Sequence, residues 1–295
     1  MKYQAPCIDC AKRQGIRIYQ LVRNGNHHSL ECLESLRREL DAIIDPADPA
    51  LSPAELSLFA IRLAQNHAGS RDPFAEIKKA NNRMALELYP SLKERITQSS
   101  EPLHIASKLA ACGNIIDLGI HEDFDIQATI DKVMREGFQR DDYRKFAEAL
   151  DEAEGKSERL LLYFCDNAGE IVFDKVFIEE IRKHYPLLEI AAVVRSVPVL
   201  NDATMEDAKT VGLDRMANVI ENGNDELGTI LTKASKELKA LYEKADIIVS
   251  KGQANYETLP LADKRIFFIL KAKCEVIAAS LGVKLWDAVM MRGNG

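Results

Sequence analysis

No stretch of the chain stays uncharged and apolar for the roughly 18 residues that a bilayer crossing requires. The segment from Met1 to Cys7 lacks the apolar core of a secretion signal. A cytoplasmic protein without a membrane partner is therefore expected. Cations are in short supply: 39 Lys and Arg stand against 46 Asp and Glu, a formal net charge of −7. That balance argues against a nucleic acid or an anionic membrane as the main partner, although a few cations can still bind phosphate locally. Cysteine is sparse and scattered, at positions 7, 10, 32, 112, 165 and 274. Without a secretion signal this is no disulfide framework. Gly252-Gln253-Ala254-Asn255 lacks the Gly-Lys-Ser/Thr ending of a phosphate-cradling P-loop. No Gly-x-Ser-x-Gly elbow is present, which removes the usual serine hydrolase nucleophile. Internal repeats and low-complexity segments are missing as well.

What remains is a composition of ordinary globular type, 46% hydrophobic and 29% charged over 295 residues. Residues 1–150 read as mainly helical. Apolar positions recur at spacings of three and four through Ile18, Leu21 and Val22 and through Leu30, Leu33, Leu36 and Leu40. Ser52-Pro53 with Glu55 marks a helix start. Its apolar face is expected to run through Leu56, Phe59, Ile61 and Leu63. Asp72-Pro73-Phe74 marks another start, with Tyr89-Pro90 expected to end that helix. From residue 151 the period changes. Short apolar runs at 159–165, 188–195, 216–220, 245–250 and 265–269 are separated by helical patterns such as 170–184 and 227–243. Continuous apolar strands alternating with helices predict a mostly parallel sheet covered on both faces. The fold class is α/β: an N-terminal helical subdomain (1–150) joined to a Rossmann-like α/β/α core (151–295).

The chemistry-bearing residues follow the apolar runs. Asp166 and Asn167 come after the first, Asn201 and Asp202 after the second, a Glu221-Asn222-Gly223-Asn224-Asp225 turn after the third, and Lys251-Gly252 after the fourth. Taken alone, Asp166 reads better as a cap for the next helix. In a parallel sheet, however, all these ends share one edge, where polar groups can converge on a crevice. Asp166, Asn167 and Asp202 offer hard oxygen ligands to a divalent cation. Lys251, followed by a glycine, can approach a phosphate as a point charge. No histidine accompanies these motifs, so a histidine base or phosphohistidine has no support. Cys7-Ile8-Asp9-Cys10 has the spacing of a metal or redox site, with His27, His28 and Cys32 as the nearest further ligands. A merely structural role stays open. Ile116-Asp117-Leu118-Gly119 resembles the start of a methyl-donor glycine loop but lacks its further glycines.

Several spaced motifs together resemble the metal-dependent damage-control phosphatases, formerly a family of unknown function. They are Asp166-Asn167-Ala168-Gly169-Glu170, Asn201-Asp202-Ala203-Thr204 with Asp207, and Ser250-Lys251-Gly252-Gln253-Ala254-Asn255-Tyr256-Glu257. Gly113-Asn114 with Asp117, and Arg71-Asp72-Pro73-Phe74 with Lys78 and Asn81, are similar to two more. Cys7 and Cys10 resemble the mark of its prokaryotic subfamily. The resemblance implies a hydrolase of small phosphorylated metabolites, acting on phosphomonoesters such as sugar phosphates. It also implies one divalent metal (Mn²⁺, Co²⁺, Ni²⁺ or Mg²⁺) on Asp166, Asn167 and Asp202. Asp166 and Lys251 would be catalytic, and Asn114, Asp117, Asn201, Lys251 and Gly252 would bind substrate. Whether Asp166 or a metal-held water attacks phosphorus is left open. The alternatives are a metal- and sugar-phosphate-binding sensor without turnover and, with less support, a methyltransferase.

Overall fold

The computed structural model describes residues 1–22, 30–45, 47–70, 72–113 and 126–294. Six helices come first: α1 (Ala5–Val22), α2 (Leu30–Ile44), α3 (Pro53–Ala68), α4 (Ala75–Thr97), α5 (Pro102–Gly113) and α6 (Ile126–Glu136). A short strand β1 (Arg140–Asp141) and helix α7 (Tyr143–Glu154) follow. Strands and helices then alternate: β2 (Leu160–Phe164), α8 (Glu170–His184), β3 (Glu189–Val194), α9 (Met205–Val211), β4 (Asn218–Glu221) and α10 (Lys236–Lys244). The series ends with β5 (Ile247–Lys251), α11 (Gln253–Thr258), β6 (Ile266–Lys271), α12 (Glu275–Leu281) and β7 (Ala288–Arg292). Among the described residues no helix is long and apolar enough to cross a membrane.

The sheet order is β1-β7-β6-β5-β2-β3-β4, parallel throughout except where β7 runs against β6. The mostly parallel α/β sheet is the one that the apolar runs predict. β7 was not anticipated, nor was β1, whose two residues carry no pattern of their own. From β2 the chain steps to β3 and β4 on one side, then returns to β5 on the other. This reversal opens a crevice between the carboxyl ends of β2 and β5, the place where open α/β sheets bind ligands. The register pairs Phe164 with Ser250, so Asp166 and Gly252 emerge side by side.

Alternation along β2 assigns its side chains to two cores. Leu161 and Tyr163 join the cluster of α4, α5, α7 and α8, while Leu162 and Phe164 join that of α10, α11 and α12. Full burial of each such side chain contributes roughly 1.5–3 kcal/mol. A third cluster unites α1, α2 and α3 with Val199 and Leu227 from the strand-end turns and Val276 from α12. The N-terminal helices are thereby packed directly over the edge that carries the site.

Helix α3 starts where the sequence indicates, in a capping box between Ser52 and Glu55. Its face differs in one position, because Phe59 is exposed while Leu58 and Ala60 are buried. Helix α4 does not end at Pro90 but runs on to Thr97. An internal proline costs about 3 kcal/mol, which burial of Leu92 and Ile96 beyond it offsets. The 227–243 segment is helical only from Lys236, where the Ser235 side chain accepts the Leu238 N–H and caps α10.

Candidate active site

The turn after β2 is built from its backbone outward. Asp166 O accepts the Ala203 N–H at 2.8 Å, Asn201 O accepts the Ala168 N–H at 2.9 Å, and Asn167 bridges to Asp202. The turns after β2 and β3 are thus tied together, holding Asp166, Asn167, Asn201 and Asp202 in one buried cluster. Asp166 is not a helix cap. α8 begins at Gly169 (φ 82°) with no side-chain cap, and the Gly169 N–H goes to Asn82 Oδ1 on α4 at 2.7 Å. Asn82 also donates to Asp207 Oδ1 at 2.7 Å. Asp207 in turn closes the capping box of α9 with Thr204.

Asn167 Nδ2 donates to Asp166 Oδ2 at 2.9 Å and to Glu170 Oε2 at 3.3 Å. Two carboxylates around one amide nitrogen orient the group and turn its carbonyl oxygen the other way. Asp202 Oδ2 accepts from Arg195 Nε at 2.6 Å, and Arg195 Nη1 donates to Gly228 O. Gly252 completes the packing. With φ +80° and an added Cβ only 2.0 Å from Asp166 Oδ2, the position admits glycine alone.

Lys251 occupies a different place from its neighbours. Its fully buried Nζ donates to Ala110 O at 2.9 Å, Glu170 Oε1 at 2.7 Å and Asp174 Oδ1 at 2.5 Å. Burial draws the ammonium down in pKa, but Asp174 and Glu170 outweigh it and hold it above the ordinary lysine value. Burial, opposed by Lys251 and reinforced by Glu170, pushes Asp174 up to about 6. Lys251 therefore serves as the counter-ion beneath the Asp166–Asn167 turn.

A cavity of about 830 Å³ opens from this edge, lined by Asp166, Asn167, Asn201 and Asp202 and, from the N-terminal helices, by Cys7, Cys10 and Arg13 among others. Neither Lys251 nor Gly252 is part of its wall. Glu257 lines it too, its Oε1 accepting from Gln253 Nε2 at 3.0 Å, and burial pushes this carboxyl up to about 7. Cys7 and Cys10 approach Cys274 and Glu257, and burial raises both thiols above the ordinary value. Lys271, at the end of β6, is a second buried strand-end lysine, lowered by burial to about 8. Asn114, Asp117, Arg71, His27, His28 and the 116–121 segment lie outside the described residues.

Among the described residues no three His, Cys, Asp or Glu side chains gather as a metal cluster. Here the donors are two carboxylates and a carboxamide, an all-oxygen set of the kind that hard divalent cations accept. The charges fit as well. Asp166, Asp202, Glu170 and Asp174 gather four carboxylates in the interior, with Lys251 paired to Glu170 and Asp174 and Arg195 paired to Asp202. Sequence reasoning gave no role to Glu170, Asp174, Arg195 or Asn82. Their pairings appear once the strands are ordered.

The class that fold and site define is an α/β protein with an acidic, oxygen-rich crevice at the switch point of its sheet. The chain belongs to the damage-control phosphatase ARMT1-like domain family, whose model matches residues 4–289. It is 32% identical to the damage-control phosphatase PH1575 of Pyrococcus horikoshii, over all of this chain and 99% of that one. A damage-control phosphatase of Archaeoglobus fulgidus is 36% identical over 75% of this chain and 76% of its own. An uncharacterized Methanocaldococcus jannaschii protein, MJ0202, is 33% identical over 99% of this chain and 96% of its own. The crystal structure of the Pyrococcus horikoshii protein, described as a DUF89 family protein, superposes with a TM-score of 0.87 over the full length of both chains, at 30% identity.

Proposed function

We propose that the protein is a metal-dependent phosphatase that hydrolyses phosphomonoesters of small metabolites. The observation that carries this reading is the buried Asp166–Asn167–Asp202 oxygen set, opening on a cavity large enough for an organic phosphate. The names of the Pyrococcus and Archaeoglobus relatives support the same class. Asp166, Asn167 and Asp202 would hold one divalent ion, and their all-oxygen character favours Mn²⁺ or Mg²⁺ over softer ions. When bound, the ion would supply charge neutralisation for a phosphoryl oxygen. The chain's own groups do the positioning. Glu170 and Asp166 orient the Asn167 amide, Arg195 orients Asp202, and Lys251 holds Glu170 and Asp174 in place beneath the turn. Hydrolysis breaks the P–O ester bond with one water and releases an alcohol and inorganic phosphate.

Replacing Asp166 with Ala should abolish metal-stimulated hydrolysis of an aryl phosphate while the far-UV circular dichroism stays native. Full retained activity would sink the assignment. A sensor without turnover predicts instead that sugar phosphates bind with Mn²⁺ present but no phosphate is released with any metal.

A further inference from the structure

Helix α1 forms much of the cavity wall, with Cys7, Cys10, Arg13, Gln14 and Arg17 repeating every three or four residues along its inner face. Arg13 and Arg17 stand one turn apart, so their guanidinium groups can act on one ligand. Neither makes an ion pair with any carboxylate among the described residues, although the chain carries an excess of seven acidic groups. The other charged groups of the wall are Asp166, Asp202, Glu257, Lys273 and Glu275. Lys273 and Glu275 contribute one charge of each sign, and Asp166 and Asp202 belong to the cation set. The cavity is thus polarised, with metal ligands at the strand ends and, on α1, two guanidinium groups without a carboxylate partner among the described residues, Arg13 being hydrogen-bonded to Cys10. At about 830 Å³ it also far exceeds what one phosphate group needs.

We infer that Arg13 and Arg17 form a second anion subsite, and that the substrates are metabolites bearing a phosphate ester at one end and a further phosphate or carboxylate at the other. This inference rests on the phosphatase reading for the assignment of the strand-end pole. A guanidinium pair suits either anion, because its planar fork of N–H donors matches two oxygens at once. A lone sugar monophosphate leaves the arginines facing water and gains nothing from them.

Two matched pairs test it: glycerol 3-phosphate against 3-phosphoglycerate, and fructose 6-phosphate against fructose 1,6-bisphosphate. Steady-state phosphate release with Mn²⁺ should favour the second member of at least one pair by roughly tenfold or more in kcat/KM, the scale of a charge-assisted contact. Which pair responds tells carboxylate from phosphate. In the Arg13→Gln/Arg17→Gln double variant the ratio should collapse towards one, through KM, and Arg13→Lys/Arg17→Lys should restore part of it. A ratio near one in the unaltered protein for both pairs, or a ratio that survives the Gln variant, overturns the subsite. If nothing releases phosphate, calorimetric titration of the same four compounds reads binding directly. An Arg-dependent preference there sinks the phosphatase reading and keeps the subsite, and its absence overturns the subsite too.

Discussion

Lys251 and Glu257 show how burial alone separates two kinds of charged residue on adjoining segments. Lys251 has three acceptors and two carboxylate neighbours, so replacing it with Met would strand Glu170 and Asp174 without a counter-ion. Removing one partner of a buried ion pair costs about 3–5 kcal/mol. Lys251→Met should therefore lower the denaturation midpoint substantially even with no substrate present, and an unchanged midpoint would restrict Lys251 to ligand binding. Glu257 differs because its carboxyl is raised to about 7 from an ordinary value of 4.5, chiefly by desolvation. Between those values the folded state binds the extra proton, so native stability falls as pH rises through that window. Glu257→Gln removes the cost of ionisation and keeps the acceptor for Gln253. The melting temperature of the variant relative to the parent should be level near pH 4.5 and increasingly higher towards pH 8. A difference that does not vary with pH would show that Glu257 is not protonated in the fold.

At the scale of elements, Asn82 is the joint between α4, the start of α8 and the cap of α9. Asn82→Ala would leave the buried Gly169 N–H without its acceptor, a penalty of about 1–3 kcal/mol, and would loosen the turn that carries Asp166 and Asn167. Hydrolysis should fall by more than stability does, and metal affinity should fall with it. Intact metal affinity would mean that the β2 and β3 turns hold each other without α4. This joint also marks the limit of what the sequence discloses. Asp166, Asn167, Asp202 and Gly252 could be picked out because each follows an apolar run, and a parallel sheet brings such ends to one edge. Asn82 sits 87 residues from its glycine on a helix whose apolar spacing says nothing about a polar bridge. Lys251 was legible as a strand-end cation, but its partners were not. Glu170 and Asp174 lie one turn apart on α8, and only the placement of β5 beside β2 turns them towards the lysine. Pro90 misled in the other direction, since local propensity ends α4 there while tertiary burial carries it on.

For the whole molecule the decisive quantity is where its negative charge is spent. The chain carries −7 overall, and the carboxylates of Asp166, Asp202, Glu170 and Asp174 are concentrated among buried side chains beneath one cavity. Like charges held at low dielectric repel strongly, so the metal-free fold is destabilised at this point and a divalent cation relieves it. Binding to the folded state alone stabilises by about 2.7 kcal/mol at a hundred times Kd. For a chain of this size that corresponds to a rise in Tm of roughly 4–5 °C. Mn²⁺ added to chelator-treated protein should give a saturable rise of this order, which NaCl at equal ionic strength does not reproduce. Asp166→Asn makes the opposite case. It removes one of the like charges along with a ligand and leaves the buried Arg195–Asp202 pair intact, so the variant should melt at least as high as the metal-free parent and lose its response to Mn²⁺. A Mn²⁺ shift that persists in the variant would place the cation elsewhere in the molecule and detach the phosphatase reading from this crevice.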